Sequence, residues 1–256
     1  MADLDRLLDD GVLWLVLNRP DVGNALDDSL SDHLTVELED AQAHEEIRVI
    51  VVTGTGAAFC TGADISGVDA HERFDVTALD RANRIIRAII HLDKPVVAAV
   101  NGVAAGVGAS IAFAADLAVT TESASFVLAF SRIGLMPDGG SSATVAAAAG
   151  RSRAMRMALL GEALPAHDAY AAGLVSHVVP DADFEEAVID IAKRLAAGPP
   201  LAFAATKKAI NAATLAHLED ALERERTGQA ILLRTDDAAE GMAAFSERRR
   251  PDFHGL

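Results

Sequence analysis

The sequence predicts an α/β core followed by a helical C-terminal region. Apolar runs at 12–17, 47–53 and 96–100 alternate with stretches of helical spacing, a pattern typical of parallel strands joined by helical crossovers. After residue 200 only helical patterns remain, so we divide the chain into a core, 1–200, and a helical region, 201–256.

Composition and periodicity predict the individual elements of the core. Leu30, Leu34 and Leu38 share one helical face, and Gly54 and Gly56 close the second strand. We predict strands at 12–17, 47–53, 96–100, 117–120 and 125–130, helices at 29–44, 82–92 and 107–115, and a loop at 57–80.

The helix after residue 182 has clear end signals. Asp183 is placed to cap its first turn, and Gly198 and Pro199 stop it. We predict helices at 183–197, 201–213, 218–233 and 236–249.

Charge and cysteine content limit the possible partners and compartment. The formal net charge of −16 argues against nucleic acid and against an anionic membrane surface, because both are bound through clustered Lys and Arg. The single cysteine, Cys60, cannot form an intramolecular disulfide, and residues 1–10 have no secretory pattern, so we expect a cytoplasmic protein. Cys60 itself is expected to be a small buried thiol.

The stretch from Pro95 to Ala115 has no charged residue and is long enough to span a membrane. Its Pro, Asn and four Gly or Ser residues favour a buried strand, a turn and a buried helix instead.

Two glycine-containing turns are the best candidates for a site. One is Phe59-Cys-Thr-Gly-Ala-Asp-Ile65, and the other is Asn101-Gly-Val-Ala-Ala-Gly-Val-Gly108. Facing each other at helix starts, they could hold an oxyanion with backbone N–H groups. The spacing is equally compatible with glycines that serve only tight turns.

The same segments resemble the enoyl-CoA hydratase/isomerase (crotonase) family. The similarity extends over nearly the whole chain through motifs in the family's order: Asn18-Arg-Pro20, Asn24-Ala-Leu26, 59–65, 98–116, Ile133-Gly-Leu-Met-Pro137 and Glu240-Gly-Met-Ala-Ala-Phe245. It implies a spiral of ββα units and a C-terminal region that forms a homotrimer or a dimer of trimers. It also implies an acyl-CoA thioester as substrate, with coenzyme A as part of that substrate and no separate cofactor. The eight histidines are scattered, with no HxH or HxxxH pair of the metal-binding type, so we predict no metal.

By position in the family, the oxyanion donors would be the N–H groups of Ala63 and Val107. Gly62, Asp64 and Ile65 would contact the substrate, the last two along the adenine end of coenzyme A. Phe253, beside the Arg248–Arg250 run, would lie near its phosphates. The loop from Ser66 to Asp80 would line the acyl pocket.

Family members that hydrate enoyl-CoA have two glutamates where this chain has Ser110 and Phe130. We place these two side chains in the substrate pocket, where neither can replace a carboxylate. Asp138 stands where several double-bond isomerases have their single acid, and 126–140 resembles the ring-1,2-epoxyphenylacetyl-CoA isomerase branch.

The sequence therefore favours an isomerase, with Asp138 moving the proton and an apolar Phe130 raising its pKa. Enoyl-CoA hydratase is the alternative, and a non-catalytic acyl-CoA-binding homologue is a further one. Asp138 could also be a turn residue bonded to local backbone, since Pro-Asp-Gly is a common turn. A serine hydrolase elbow at Gly108-Ala-Ser110 lacks its last glycine, and a dinucleotide fingerprint at 54–59 lacks its third.

Overall fold

The computed structural model describes residues 3–66, 71 and 75–256. The strands are β1 (Leu4–Asp9), β2 (Val12–Leu17), β3 (Val49–Gly54), β4 (Ala58–Cys60), β5 (Val96–Val100), β6 (Val103–Ala105), β7 (Leu117–Thr121), β8 (Ser125–Val127), β9 (Leu164–Pro165) and β10 (His177–Val179). The helices are α1 (Asp28–Asp40), α2 (Val76–His91), α3 (Val107–Ala114), α4 (Ser141–Leu160), α5 (Ala166–Ala171), α6 (Phe184–Ala196), α7 (Pro200–Thr214), α8 (Leu218–Leu232) and α9 (Asp236–Ser246).

The strands form two sheets. One sheet has the order β1-β2-β3-β5-β7-β10, in which β1 is antiparallel to β2 and the other neighbours are parallel. The second has the order β4-β6-β8-β9. Each turn of the chain adds one strand to each sheet and then a helix, as in β3-β4-α2, β5-β6-α3 and β7-β8-α4. The predicted α/β fold and spiral of ββα units are confirmed.

The core consists of aliphatic side chains that the spiral stacks on one another. All five residues of β5 are buried, which explains why its sequence is an unbroken run of Val and Ala rather than an alternating one. On one side of the larger sheet α6 contributes Val188 and Ala192 to the core, while α1 and α2 pack together on the other. Close packing of small side chains compensates for the scarcity of aromatic ones.

Several predicted bounds were wrong. The region 57–80 contains β4 and the start of α2 as well as loop, and 67–70 and 72–74 lie outside the described residues. The strand predicted at 125–130 ends at Val127, because the chain turns into a short 3₁₀ helix at Ala129–Ile133. The sequence reasoning missed β1, β6, β9, β10, α4 and α5. α4 is rich in Ala and interrupted at Gly150, so its apolar periodicity is weak.

The uncharged stretch 95–115 forms β5, β6 and α3. Within the described part of the chain, no helix is both long and apolar enough to cross a membrane.

The C-terminal helices fold back over the core. Lys207 of α7 donates to the Asp116 carboxylate at 2.7 Å and to the Ile89 and Lys94 carbonyls at 2.7 and 3.2 Å. α8 packs on α2 and α4, and α9 packs on the 129–133 turn. Burial lowers the pKa of Lys207 and raises that of Asp116, although their ion pair opposes both shifts.

We expect Lys207→Met to lower the free energy of unfolding by about 2–4 kcal/mol, because it leaves Asp116 without its countercharge. Urea unfolding measures this loss. The matched control is Lys208→Met, which removes an exposed ion pair with Asp93 and should cost less than about 1 kcal/mol. Equal losses of stability in the two variants would show that Lys207 does not hold α7 to the core.

Candidate active site

The first glycine turn follows β4 and is held by Leu26. The Leu26 N–H donates to the Gly62 carbonyl at 2.8 Å, and the Asp64 N–H donates to the Leu26 carbonyl at 2.9 Å. This pairing leaves the N–H of Ala63, between them, without a hydrogen-bond partner among the described residues. Gly62 has a φ of 103°, which an L side chain rarely adopts.

The second turn leads from β6 into α3. Its Gly106 has φ 52° and ψ −130°, and its N–H donates to the Val127 carbonyl at 2.9 Å. α3 then begins at Val107, whose N–H belongs to the first helical turn and therefore has no intrahelical acceptor. The helix dipole adds a partial positive charge at the same point.

The two turns lie against each other. A Cβ placed on Gly62 would be 3.0 Å from the Ala105 carbonyl oxygen and 3.6 Å from Gly106 Cα. A side chain at either glycine would therefore occupy the space between the turns. The Phe130 ring borders the same place, since its Cζ would be 3.9 Å from a Cβ on Gly106.

This arrangement brings the predicted donors Ala63 and Val107 into adjoining turns, with Gly62 and Phe130 beside them. Two preorganised N–H groups next to a buried apolar ring can stabilise an oxyanion, because they need no reorganisation when negative charge develops.

Asp64 and Ile65 continue from the first turn, but their N–H groups are used within the protein. Asp64 N–H bonds to Leu26, and Ile65 N–H donates to the Ala63 carbonyl at 3.0 Å. Although burial acts to raise it, hydrogen bonds from Ser66 and the ion pair with Arg19 at 2.9 Å lower the pKa of Asp64. The Asp64 carboxylate thus holds the first turn to Arg19. Contact of Asp64 or Ile65 with coenzyme A stays a prediction.

Asp138 lies in a turn directly before α4 and is 6% exposed. Its main-chain carbonyl accepts from the hydroxyls of Ser110 and Ser141, both at 2.8 Å. Its carboxylate does not bond to local backbone: Oδ2 accepts from Gln229 Nε2 at 2.9 Å, and Oδ1 has no partner among the described residues. The turn-residue interpretation of Asp138 is therefore not supported.

The turn of Asp138 contacts the second glycine turn. A Cβ on Gly139 would be 2.9 Å from Ser110 Cβ and 3.5 Å from Val107 Cγ2. The turn that carries the acid therefore approaches the residue that supplies the second predicted oxyanion donor. Burial raises the pKa of Asp138 to about 7, with the nearby Glu225 adding to this rise and the Gln229 hydrogen bond opposing it. Such a carboxyl can exchange a proton near neutral pH.

The sequence reasoning missed Gln229 and Glu225, which α8 brings into the site. The Glu225 carboxylate accepts from the Gly140 N–H at 2.7 Å and from the Ser142 N–H at 2.9 Å, so it caps α4. Both residues are fully or almost fully buried. Polar residues at positions i and i+4 on the apolar face of α8 were the available signal.

Ser110 is fully buried in α3, and its hydroxyl is committed to the Asp138 carbonyl. It supports the acid, and direct contact with substrate stays a prediction. Because it lies inside a helix rather than on a strand-to-helix turn, the hydrolase alternative has no structural support.

The remaining candidates are less closely tied to this site. Phe253 is 39% exposed in the C-terminal tail. The N–H groups of Asp252 and His254 in this tail donate to the Glu240 and Asp237 carboxylates of α9. The position of Phe253 near the phosphates of coenzyme A stays a prediction.

Cys60 is buried, and burial raises the pKa of its thiol to about 12, so it is not a nucleophile. The described residues contain no group of three or more His, Cys, Asp or Glu placed to hold a metal.

Comparison with known proteins gives consistent matches along the chain. A sequence model of the family described as enoyl-CoA hydratase/isomerase matches residues 8–255. The chain is 41% identical over 249 residues to a probable enoyl-CoA hydratase of Rhodobacter capsulatus, covering 97% of this chain and 96% of that protein. It is 37% identical over 250 residues to the 1,2-epoxyphenylacetyl-CoA isomerase of Escherichia coli, covering 96% and 95%.

The crystal structure of an enoyl-CoA hydratase from Mycobacterium avium subsp. paratuberculosis K-10 matches with a TM-score of 0.93 and 48% identity over 99% of both chains. Taken with the ββα spiral and the paired glycine turns, these matches show that the chain belongs to the enoyl-CoA hydratase/isomerase family.

Proposed function

We propose that the protein is an enoyl-CoA double-bond isomerase that uses Asp138 as its only proton carrier. The observation that carries the proposal is the Asp138 carboxyl, which is buried, has one oxygen without a partner, and belongs to the turn whose Gly139 approaches Val107. A 1,3-proton shift needs one base that can also return the proton, and Asp138 meets this requirement.

In the proposed reaction of a 3-enoyl thioester, Asp138 removes a proton from C2. The electron pair of the C–H bond moves into the thioester, giving a dienolate whose oxygen accepts from the Ala63 and Val107 N–H groups. The protonated Asp138 then delivers the proton to C4, and the double bond comes to lie between C2 and C3. Substrate and product are isomers, and the carboxylate is regenerated.

Hydration is supported less well by the side chains. It needs a group that activates water and one that protonates C2, and Phe130 cannot titrate. Ser110 donates to a main-chain carbonyl, and both oxygens of Glu225 accept backbone N–H groups. Of the two buried carboxylates of this cluster, Asp138 and Glu225, Asp138 is therefore the one with a free oxygen.

Hydratase activity nevertheless remains the second candidate. Besides the Rhodobacter protein, a 2,3-dehydroadipyl-CoA hydratase of Escherichia coli is 37% identical over 244 residues. The ring-epoxide isomerase likeness provides a third substrate to test, since an epoxyphenylacetyl thioester also requires an enolate-stabilising site.

We expect Asp138→Asn to reduce kcat for 3-enoyl-CoA about 10²–10⁴-fold, because the amide cannot accept the proton, while KM changes by less than about threefold. NMR in D2O with 3-enoyl-CoA, 2-trans-enoyl-CoA and ring-epoxyphenylacetyl-CoA measures the products. The matched control is Asp190→Asn, an exposed position on α6, which should leave the rates unchanged.

Formation of 3-hydroxyacyl-CoA that persists in Asp138→Asn would contradict the proposal and indicate a hydratase. Binding of all three thioesters without turnover would indicate the non-catalytic alternative.

We also expect kcat/KM for isomerisation to fall as the pH drops below about 7. The free enzyme needs ionised Asp138, and burial raises the pKa of this group to about 7. The rate should be level above pH 8 and fall about tenfold per pH unit below 6. A profile that is flat between pH 5 and 8 would exclude Asp138 as the base.

A further inference from the structure

We propose that Gln229 is the positioning residue for Asp138: it holds Oδ2 and leaves Oδ1 as the atom that accepts the substrate proton. The inference rests on the proposed function in taking Asp138 as the base, and it adds a role for the C-terminal helix α8.

The orientation of the Gln229 amide is fixed by its other partner. The Met136 N–H donates to Gln229 Oε1 at 3.0 Å, so the amide nitrogen must face Asp138 Oδ2 at 2.9 Å. A flipped amide would place its NH₂ group against the Met136 N–H and its oxygen against a carboxylate. Gln229 therefore always presents a donor to Asp138.

This donor makes the two carboxylate oxygens unequal. Oδ2 is occupied by the amide, whereas Oδ1 is buried without a partner. A buried polar atom without a partner is costly and rare, and exchange of a proton with a bound substrate would account for it here. Ser110 and Ser141 hold the main-chain carbonyl of Asp138, which fixes the turn that carries the carboxylate.

α8 also carries Glu225, which shifts the pKa of Asp138 in the direction opposite to Gln229. Glu225 lies one turn before Gln229 on α8, and it is the ionisable side chain within the described structure that acts on the Asp138 carboxyl. Its negative charge favours protonated Asp138, while the Gln229 hydrogen bond favours ionised Asp138. α8 thus contains one residue that makes Asp138 a weaker acid and one that makes it a stronger acid.

The test follows the ionisation of Asp138 directly, without turnover. In protein labelled with ¹³C at the aspartate carboxyl carbon, Asp138→Asn identifies the Asp138 signal, and its chemical shift is followed with pH. We expect Gln229→Met to move the titration up by about one pH unit and Glu225→Gln to move it down, because they remove opposite influences.

Kinetics provide the second readout. At pH 8.5 Gln229→Met should lower kcat about 10–100-fold with KM changed less than threefold, and the acid limb of kcat/KM should move with the NMR titration. If Gln229→Met does not fold, the isosteric Gln229→Glu retains the acceptor for the Met136 N–H and should raise the Asp138 titration further, because the two acids then share a proton.

The control for loss of packing is Asn211→Leu. The Asn211 amide ties α7 to the Ile90 carbonyl at 3.1 Å, as Gln229 ties α8 to the 136–138 turn. This variant should lose stability and leave the Asp138 titration unchanged. If Gln229→Met behaves in the same way, Gln229 is only structural and the inference fails.

The two proposals fail separately. An upward titration in Gln229→Met without isomerisation of any thioester would retain Gln229 as the residue that sets Asp138 and reject the isomerase. Isomerisation that depends on Asp138 but is unchanged in Gln229→Met would support the isomerase and reject Gln229 as the positioning residue.

Discussion

The close approach of successive spiral turns is the constraint on which this site depends. The two glycine turns approach each other at Gly62 and Gly106, where a Cβ on either residue would contact the backbone of the other turn. A third point of contact is Gly108, where a Cβ would overlap the Cys60 carbonyl oxygen. Glycine at these points lets the start of α3 sit against the end of β4, so that the N–H groups of Ala63 and Val107 come from adjoining turns.

A second constraint is the burial of a carboxyl group. Excluding water from Asp138 is unfavourable for its charged form, and the protein compensates only in part, with one amide on one oxygen. The remaining oxygen is left without a partner, which a purely structural aspartate would not require. The same burial that disfavours the folded state with ionised Asp138 provides a carboxyl group that can hold and release a proton near neutral pH.

The C-terminal helices complete the site rather than merely following it. Glu225 caps α4 through Gly140 and Ser142, and α4 begins three residues after Asp138. The ion pair of Lys207 with Asp116 and its bonds to two carbonyls hold α7 to the core, and α8 follows α7 directly. The position of the acid therefore depends on helices that the sequence division assigned to oligomerisation. The role of residues 201–256 in oligomerisation stays a prediction. Their contacts with Asp138 and α4 are a separate finding.

The sequence by itself determined the fold class, half of the strands, most of the helices and the two glycine turns, and it singled out Asp138 as a candidate. The spacing of apolar residues indicates which face of a helix or strand is buried, and Gly at a turn indicates the backbone geometry there. These features depend only on neighbouring residues in the chain. The tertiary structure alone decided which oxygen of Asp138 is free and that Ser110 supports the acid. It also placed Gln229 and Glu225 beside Asp138, although about 90 residues separate them in the chain. The physical reason is that the proton affinity of a buried group depends on its neighbours in space, and only the packing of α8 on the core selects those neighbours.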